Sequence, residues 1–498
     1  MAALAPRISF TPRETGWRRL LDAAGPRTRR TAAIAALAAT GAVAGAAIAL
    51  GGVAALILLL ALLACAACLY DFRAGVALMI VIMPISQSYV FPHAMFGITG
   101  LNPLNLLILS TLAAYVMRSA GEKGAILGFV PRPVGWLLIA PMAMGAFLGM
   151  DDVGKIPAIF RDLDMIFFDN AFGYWRDMFG KPMTFVAYAL LVAAAVHHSD
   201  KPERFVTPMV LSAVVMALLP LVYVAISGAT LSQLAGTYAR MFFSPLGMHA
   251  NDLGRLYACA YALLLFTWDR TGNVALKTTL FLTMGLVVLA LLMTFSRGAF
   301  FGFILVNLIY LFSRRHVKTL AMAALAIPVG LYFTPGAVWY RVTMGFGEGL
   351  NAISAGRVGE IWQPLSSTFL DSPLWGNGLG SIMWSRPMID GRLLQVAHPH
   401  NAYLEAYMDM GLIGLALLVA FWVLVWRRFR ALGRDARLSR ELQGLFEGAA
   451  AGLAAFLVAG IAGSSLTPAP EQAFLWLMVG ALFGIQRRLG GAPAGKES

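Results

Sequence analysis

An all-α bundle that crosses a membrane many times is the fold class this sequence predicts, on three observations. Of its 498 residues 59% are hydrophobic and only 13% charged, with a mean hydropathy of +0.73; a water-soluble chain has no interior able to hide that much apolar surface. The apolar residues gather into runs close to the ~20 residues a helix needs to cross the hydrocarbon layer. Basic residues sit in short clusters between the runs, where they fix topology and meet anionic lipid. A net charge of +13 in a soluble protein would suggest nucleic acid. Here no zinc finger, basic helix or aromatic RNA-binding strand accompanies it, so membrane lipids are the expected partner and nucleic acid is not.

Residues 1–30 form a basic cytoplasmic segment carrying Arg7, Arg13, Arg18, Arg19, Arg27, Arg29 and Arg30. The apolar stretch beyond it runs on to Leu69, longer than a cleaved leader needs. It is expected to be an uncleaved pair of helices, 31–50 and 52–70, turning near Gly51 and Gly52. Further crossings are expected at 74–91, 103–118, 133–149, 182–197, 207–226, 251–268, 278–294, 299–313, 318–334, 411–426, 450–464 and 470–486, about 12–14 in all. With the N-terminus in the cytoplasm, Arg73, Arg118, Arg132, Lys201, Arg270, Lys277, Arg314, Arg427, Arg428, Arg487 and Arg488 fall on the cytoplasmic side, and both ends face that compartment.

The organisation that follows is a first membrane bundle over 31–334, a large periplasmic loop at 335–410, C-terminal transmembrane helices at 411–486 and a cytoplasmic tail at 487–498. A smaller outer segment, 150–181, is acidic and aromatic and is expected to place a short helix at the interface. The loop 335–410 is far longer than a connector requires, and compact proteins keep long loops mainly for function. Cys65 and Cys68 form a CxxC inside an apolar run and Cys259 lies alone in another; all three read as filler. GAVAG, from Gly41 to Gly45, has the spacing for close helix packing, which arises easily by chance in an alanine-rich span.

The candidates for chemistry lie on the outer side. Arg297, in "LLMTFSRGAFFGF", sits where one span ends and the next begins; it either snorkels to headgroups or faces an anionic ligand. Arg357, in "SAGRVGEIW", suits a phosphate, since a guanidinium fork presents several donors at once; a salt bridge to Glu348 or Glu360 is the plainer alternative. His398 and His400 bracket Pro399. A helix starting near His400 puts Asn401 and Tyr403 in its first turn and Glu405 and Asp409 four apart on one face. The H-x-H spacing invites a metal, but no cysteine and no H-E-x-x-H pattern supports it. Neither metal nor cofactor is expected, and a neutral imidazole is more naturally a general base. In "GMHANDLGRL", Asn251, Asp252 and Arg255 either line a cavity or bond across helices.

Ser-Arg-Gly at an outer helix end, "GR...W" opening the large loop, "DSPLWGNGLG" within it, "HPHNAYLE" at its close and "GMHANDLGRL" before a mid-chain span together resemble the O-antigen ligase and Wzy-type polymerase superfamily, over roughly residues 235–480. The resemblance implies a GT-C-like, metal-independent, inverting glycosyltransferase of the bacterial inner membrane. Its donor would be a glycan on undecaprenyl diphosphate, used at the periplasmic face. The acceptor would be lipid A-core for a ligase, or a second lipid-linked glycan for a polymerase of O-antigen or exopolysaccharide. Arg297 and Arg357 would match the arginines that bind the diphosphate and His400 the histidine that activates the acceptor hydroxyl. His398, Asn401, Tyr403, Glu405, Asn251 and Arg255 are candidates for support or acceptor binding. A polytopic transporter is the competing class, but it would place polar groups near mid-membrane in two matched halves, whereas these crowd toward the outer face.

Overall fold

The computed structural model describes residues 26–119, 130–230, 233–234, 242–314, 321, 324, 332, 336–393, 395–463 and 465–490. Nearly all of the basic N-terminal segment, the expected span at 318–334 apart from three positions, and the tail beyond 490 lie outside the described residues. The architecture is all-α: the sheet among the described residues is a two-stranded ribbon of Ala94–Met95 against Ile98–Thr99. Eight helices among them are long and apolar enough to cross a membrane. The chain is thus a multi-pass membrane protein.

Local signals set the helix boundaries. Side-chain oxygens of Asp71, Asn170, Asn273, Asn401 and Ser439 accept hydrogen bonds from backbone N–H groups in the first turns of the helices they precede, supplying partners to donors that no helical carbonyl can reach. The helix Pro26–Tyr70 breaks at Gly52, whose φ of 62° is outside the helical range, where two helices are expected to turn. Helix Ala402–Gly433 breaks at Gly411 (φ 66°), the junction expected between the large loop and the next span. The segment 150–181 departs from expectation. Before Asn170 it holds a 3-10 turn, Met150–Lys155, and a short helix, Ile159–Asp162, but from Ala171 it is already helical, joining Lys181–His197 through a π turn at Arg176–Gly180. The Asn170 cap starts this span at Ala171, eleven residues before the start at 182 that hydropathy alone gives.

Helix Ala250–Arg270 is the centre of the bundle, buried without interruption from Leu253 to Thr267. It packs against Val274–Met293, Arg297–Arg314 and Arg440–Ala459. The last contact is unusually close: a Cβ added at Gly444, Gly448 or Gly452 would meet the backbone of Phe266–Thr267, Ala262–Leu263 or Cys259. Small residues four apart thereby let two backbones approach, the means by which membrane helices associate without a hydrophobic driving force. At one end of these helices Arg314 bonds both Asp269 and Glu447, each at 2.6 Å, Arg270 also bonds Glu447, and Tyr310 donates to Asp269 at 3.0 Å. The other end carries the candidate site.

Candidate functional site

The loop enters the site through a left-handed pair, Ala355 (φ 58°) and Gly356 (φ 87°), followed by the Val358–Trp362 turn. Arg357 stands at its start and its Nη1 donates to Ala462 O at 3.2 Å. The indole of Trp362 donates to Pro399 O at 2.8 Å, so the turn that carries the arginine also holds the peptide between the two histidines. His400 itself takes a left-handed backbone (φ 54°). Its ring meets that of His398 edge to face, with centroids 4.2 Å apart. The Nδ1 of His398 is shielded from solvent and has no hydrogen-bond partner. Burial pushes this imidazole down to about 4, helped by the positive charges of Arg255 and His249 and, less, of Arg357, while Glu471 opposes them. His398 is therefore neutral near pH 7.

The helix after the histidines begins at Ala402, two residues later than the expected start near His400, so Asn401 caps it rather than joining its first turn, its Oδ1 accepting from the N–H groups of Tyr403 and Leu404. Tyr403 donates its hydroxyl to Leu457 O at 2.8 Å. Both side chains thus hold the helix start in place. Glu405 and Asp409 lie on one face, and their partners differ. Asp409 Oδ1 accepts from Ser381 N and Ser381 Oγ at 3.1 and 3.0 Å, whereas Glu405 Oε2 is buried with no hydrogen-bond partner.

Arg255, in the second turn of the central helix, is closed to solvent and its Nη2 bonds Asp252 and, at 3.2 Å, Glu471 Oε1. Its Nη1 occupies the space a side chain at position 463 would need, so a larger residue there would displace the guanidinium. Gly460 meanwhile contacts Ala402 and Tyr403 at distances a Cβ would feel at 3.6 Å. The short turn Gly460–Gly463 is thus where Arg357, Arg255 and the start of the helix that follows the histidines come together. Asn251 lies one turn earlier, its N–H donating to His249 Nδ1 at 3.2 Å.

Arg297 opens helix Arg297–Arg314 after a corner in which Phe295 has φ 47°. Its Nη1 donates to Met344 O at 3.0 Å. Thr294, Ser296 and Ala299 close on Gly254 so tightly that a Cβ there would clash. Arg297 and Arg357 are joined in this way, through neighbouring residues of the central helix: the corner rests on Gly254, and Arg255 beside it reaches Gly463. One cation escaped the sequence reading. Arg341 is buried next to the corner, its Nε bonded to Phe295 O and its Nη1 to Met344 Sδ, both at 3.4 Å. The signal available for it was the scarcity of charge on the outer side, which makes any arginine in that loop worth an account.

These features define a polytopic membrane protein with arginines and imidazoles gathered at one end of its bundle. Residues 282–419 match the family model described as O-Antigen ligase. The match takes in Arg297, Arg341, Arg357, His398, His400, Asn401, Tyr403 and Glu405, and begins beyond Asn251 and Arg255. No curated protein matches the chain with significance.

Proposed function

We propose that this protein transfers a glycan from undecaprenyl diphosphate to an acceptor sugar hydroxyl at the periplasmic face of the bacterial inner membrane, with inversion and without a metal. The observation that carries the reading is the turn Gly460–Gly463, which meets Arg357, Arg255 and the helix start at Ala402–Tyr403 that follows the two histidines, of which Arg357 and the histidines fall within the stretch matched by the O-Antigen ligase model. His400 takes the proton from the acceptor hydroxyl, the oxygen attacks the anomeric carbon from one face, and undecaprenyl diphosphate departs from the other with the bonding pair. A neutral His398 favours this step, because no second positive charge opposes the proton arriving on the neighbouring ring. Charge on the leaving diphosphate grows as its bond breaks, so fixed guanidinium groups of Arg297 and Arg357 stabilise the transition state more than the ground state. Arg255 adds a buried positive charge, Asn401 and Tyr403 hold the helix start, and Asn251 and Glu405 line the approach.

The test is a clean deletion followed by analysis of the lipid-linked glycans that accumulate. Full-length chains left on undecaprenyl diphosphate support transfer to lipid A-core. Single repeats would instead assign the same chemistry to chain polymerisation, and unchanged glycans would remove the proposal.

A further inference from the structure

A second concave site lies beside the histidines. The loop residues Asn377, Ser381, Trp384 and Arg386, together with Asp371 and Asp152, line an open cavity of about 350 Å³, within the range of small-ligand sites. Its walls are rigid. Gly376 lies against the backbone of Asp409 and Met410, and Gly378 against that of Gly149, so closely that neither tolerates a side chain; both have positive φ. Asn377 N and Gly378 N donate to Met408 O and Asp409 O at 2.8 and 3.0 Å. The Trp384 indole donates to Asn377 O at 3.2 Å and meets the Tyr174 ring edge to face at 6.1 Å, so the aromatic wall is fixed from two sides.

The chemistry of the lining selects a ligand class. Asp152 is paired with Lys155 at 2.5 Å, and Asp371 and Arg386 supply one further charge of each sign at the exposed rim. Two carboxylates match the cations Lys155 and Arg386, so no excess positive charge selects a phosphate, and an acyl chain would strand amide, hydroxyl and carboxylate groups without partners. A pyranose fits both demands, with hydroxyls around its edge for the polar groups and a C–H face for the indole. Met408 lines this cavity and lies six residues beyond Ala402, about 9 Å of helix rise from the end of the histidine segment.

The geometry points to a saccharide-binding subsite in this cavity, which engages a short stretch of glycan whose reacting end lies at His400. It rests on the proposed glycan transfer for the identity of the chain but not for the binding itself. The saccharide comes either from the acceptor or from the glycan portion of the donor.

The experiment uses the purified full-length protein in nanodiscs and two soluble probes, delipidated core oligosaccharide and delipidated glycan repeat, with binding read by saturation-transfer NMR. One probe is expected to bind: the core oligosaccharide identifies the acceptor, the repeat the donor chain. Asp371→Ala and Ile389→Trp, both at exposed rim positions and checked by thermal melting, are expected to weaken it about ten-fold or more. His400→Ala is expected to keep saccharide binding while losing transfer. Failure of both probes to bind, or equal binding by wild type and both rim variants, overturns the subsite. Binding through the cavity by a protein that transfers no glycan overturns the enzymatic reading and leaves the subsite standing.

Discussion

Arg255 and Glu471 meet inside the protein, Nη2 to Oε1 at 3.2 Å, with both side chains almost closed to solvent. The pair ties the start of the central helix to the turn before the last helix, Ala473–Gly490. Taking away one member of a buried pair typically costs about 3–5 kcal/mol, because the remaining charge is left in a poor solvent; here Asp252 still reaches the guanidinium and reduces that figure. Glu471→Gln is therefore expected to lower the melting temperature of the detergent-solubilised protein and to reduce transfer. An unchanged melting curve would show that the pair does not stabilise the fold.

Arg357→Ala and His400→Ala remove groups at the mouth of the site. Both residues are partly exposed, so their loss should spare folding. Loss of one well-placed donor lowers the rate about 10²- to 10³-fold, and glycan transfer in a complementation assay with protein levels checked should fall accordingly for Arg357→Ala. Arg297→Ala should behave likewise. Full activity in His400→Ala would remove the base assignment.

His398 makes stability depend on pH with a defined sign. Its imidazole falls from 6.5 in the unfolded chain to about 4 in the folded protein, so the unfolded chain binds the proton first. The neutral ring's contribution is complete above pH 6.5 and is lost as the pH falls from there toward 4. Melting temperature should be flat near neutrality and drop across that window, and His398→Gln should flatten the drop.

Gly448→Val tests the seam between the central helix and its neighbour. The added Cβ alone would fall 2.5 Å from Ala262 O, and overpacking of a tight interface commonly costs about 1–3 kcal/mol. Lower yield and a lower melting temperature are expected. Gly41→Val, with nothing within 4 Å of its Cβ position, should leave both unchanged.

That contrast shows what the sequence makes legible. Spacing of small residues is present both at Gly41–Gly45 and at Gly444–Gly448–Gly452, yet only the second meets another backbone, because the pattern says nothing about what faces it. Hydropathy and the breaks at Gly52 and Gly411 are local properties, so the helical bundle reads directly from the chain, while the helix after the histidines reads to within two residues of its start, which the Asn401 cap sets at Ala402. Arg297, Arg357 and His400 stand out by motif and by the rarity of polar residues around them. Glu471 and Gly463 do not, since their importance comes from Arg255, more than 200 residues away in the chain. Arg341 is hidden for the same reason: its partners belong to the corner at Phe295 and to Met344.

The three-glycine seam has a kinetic consequence. Two helices whose main chains touch along several turns cannot slide or splay independently without opening a void. Arg255 on one and Ala462 beyond the other are consequently carried on a single stiff beam. Their spacing is set by backbone, so on the proposed function an arriving ligand would find these groups already aimed, with little reorganisation left to slow the reaction.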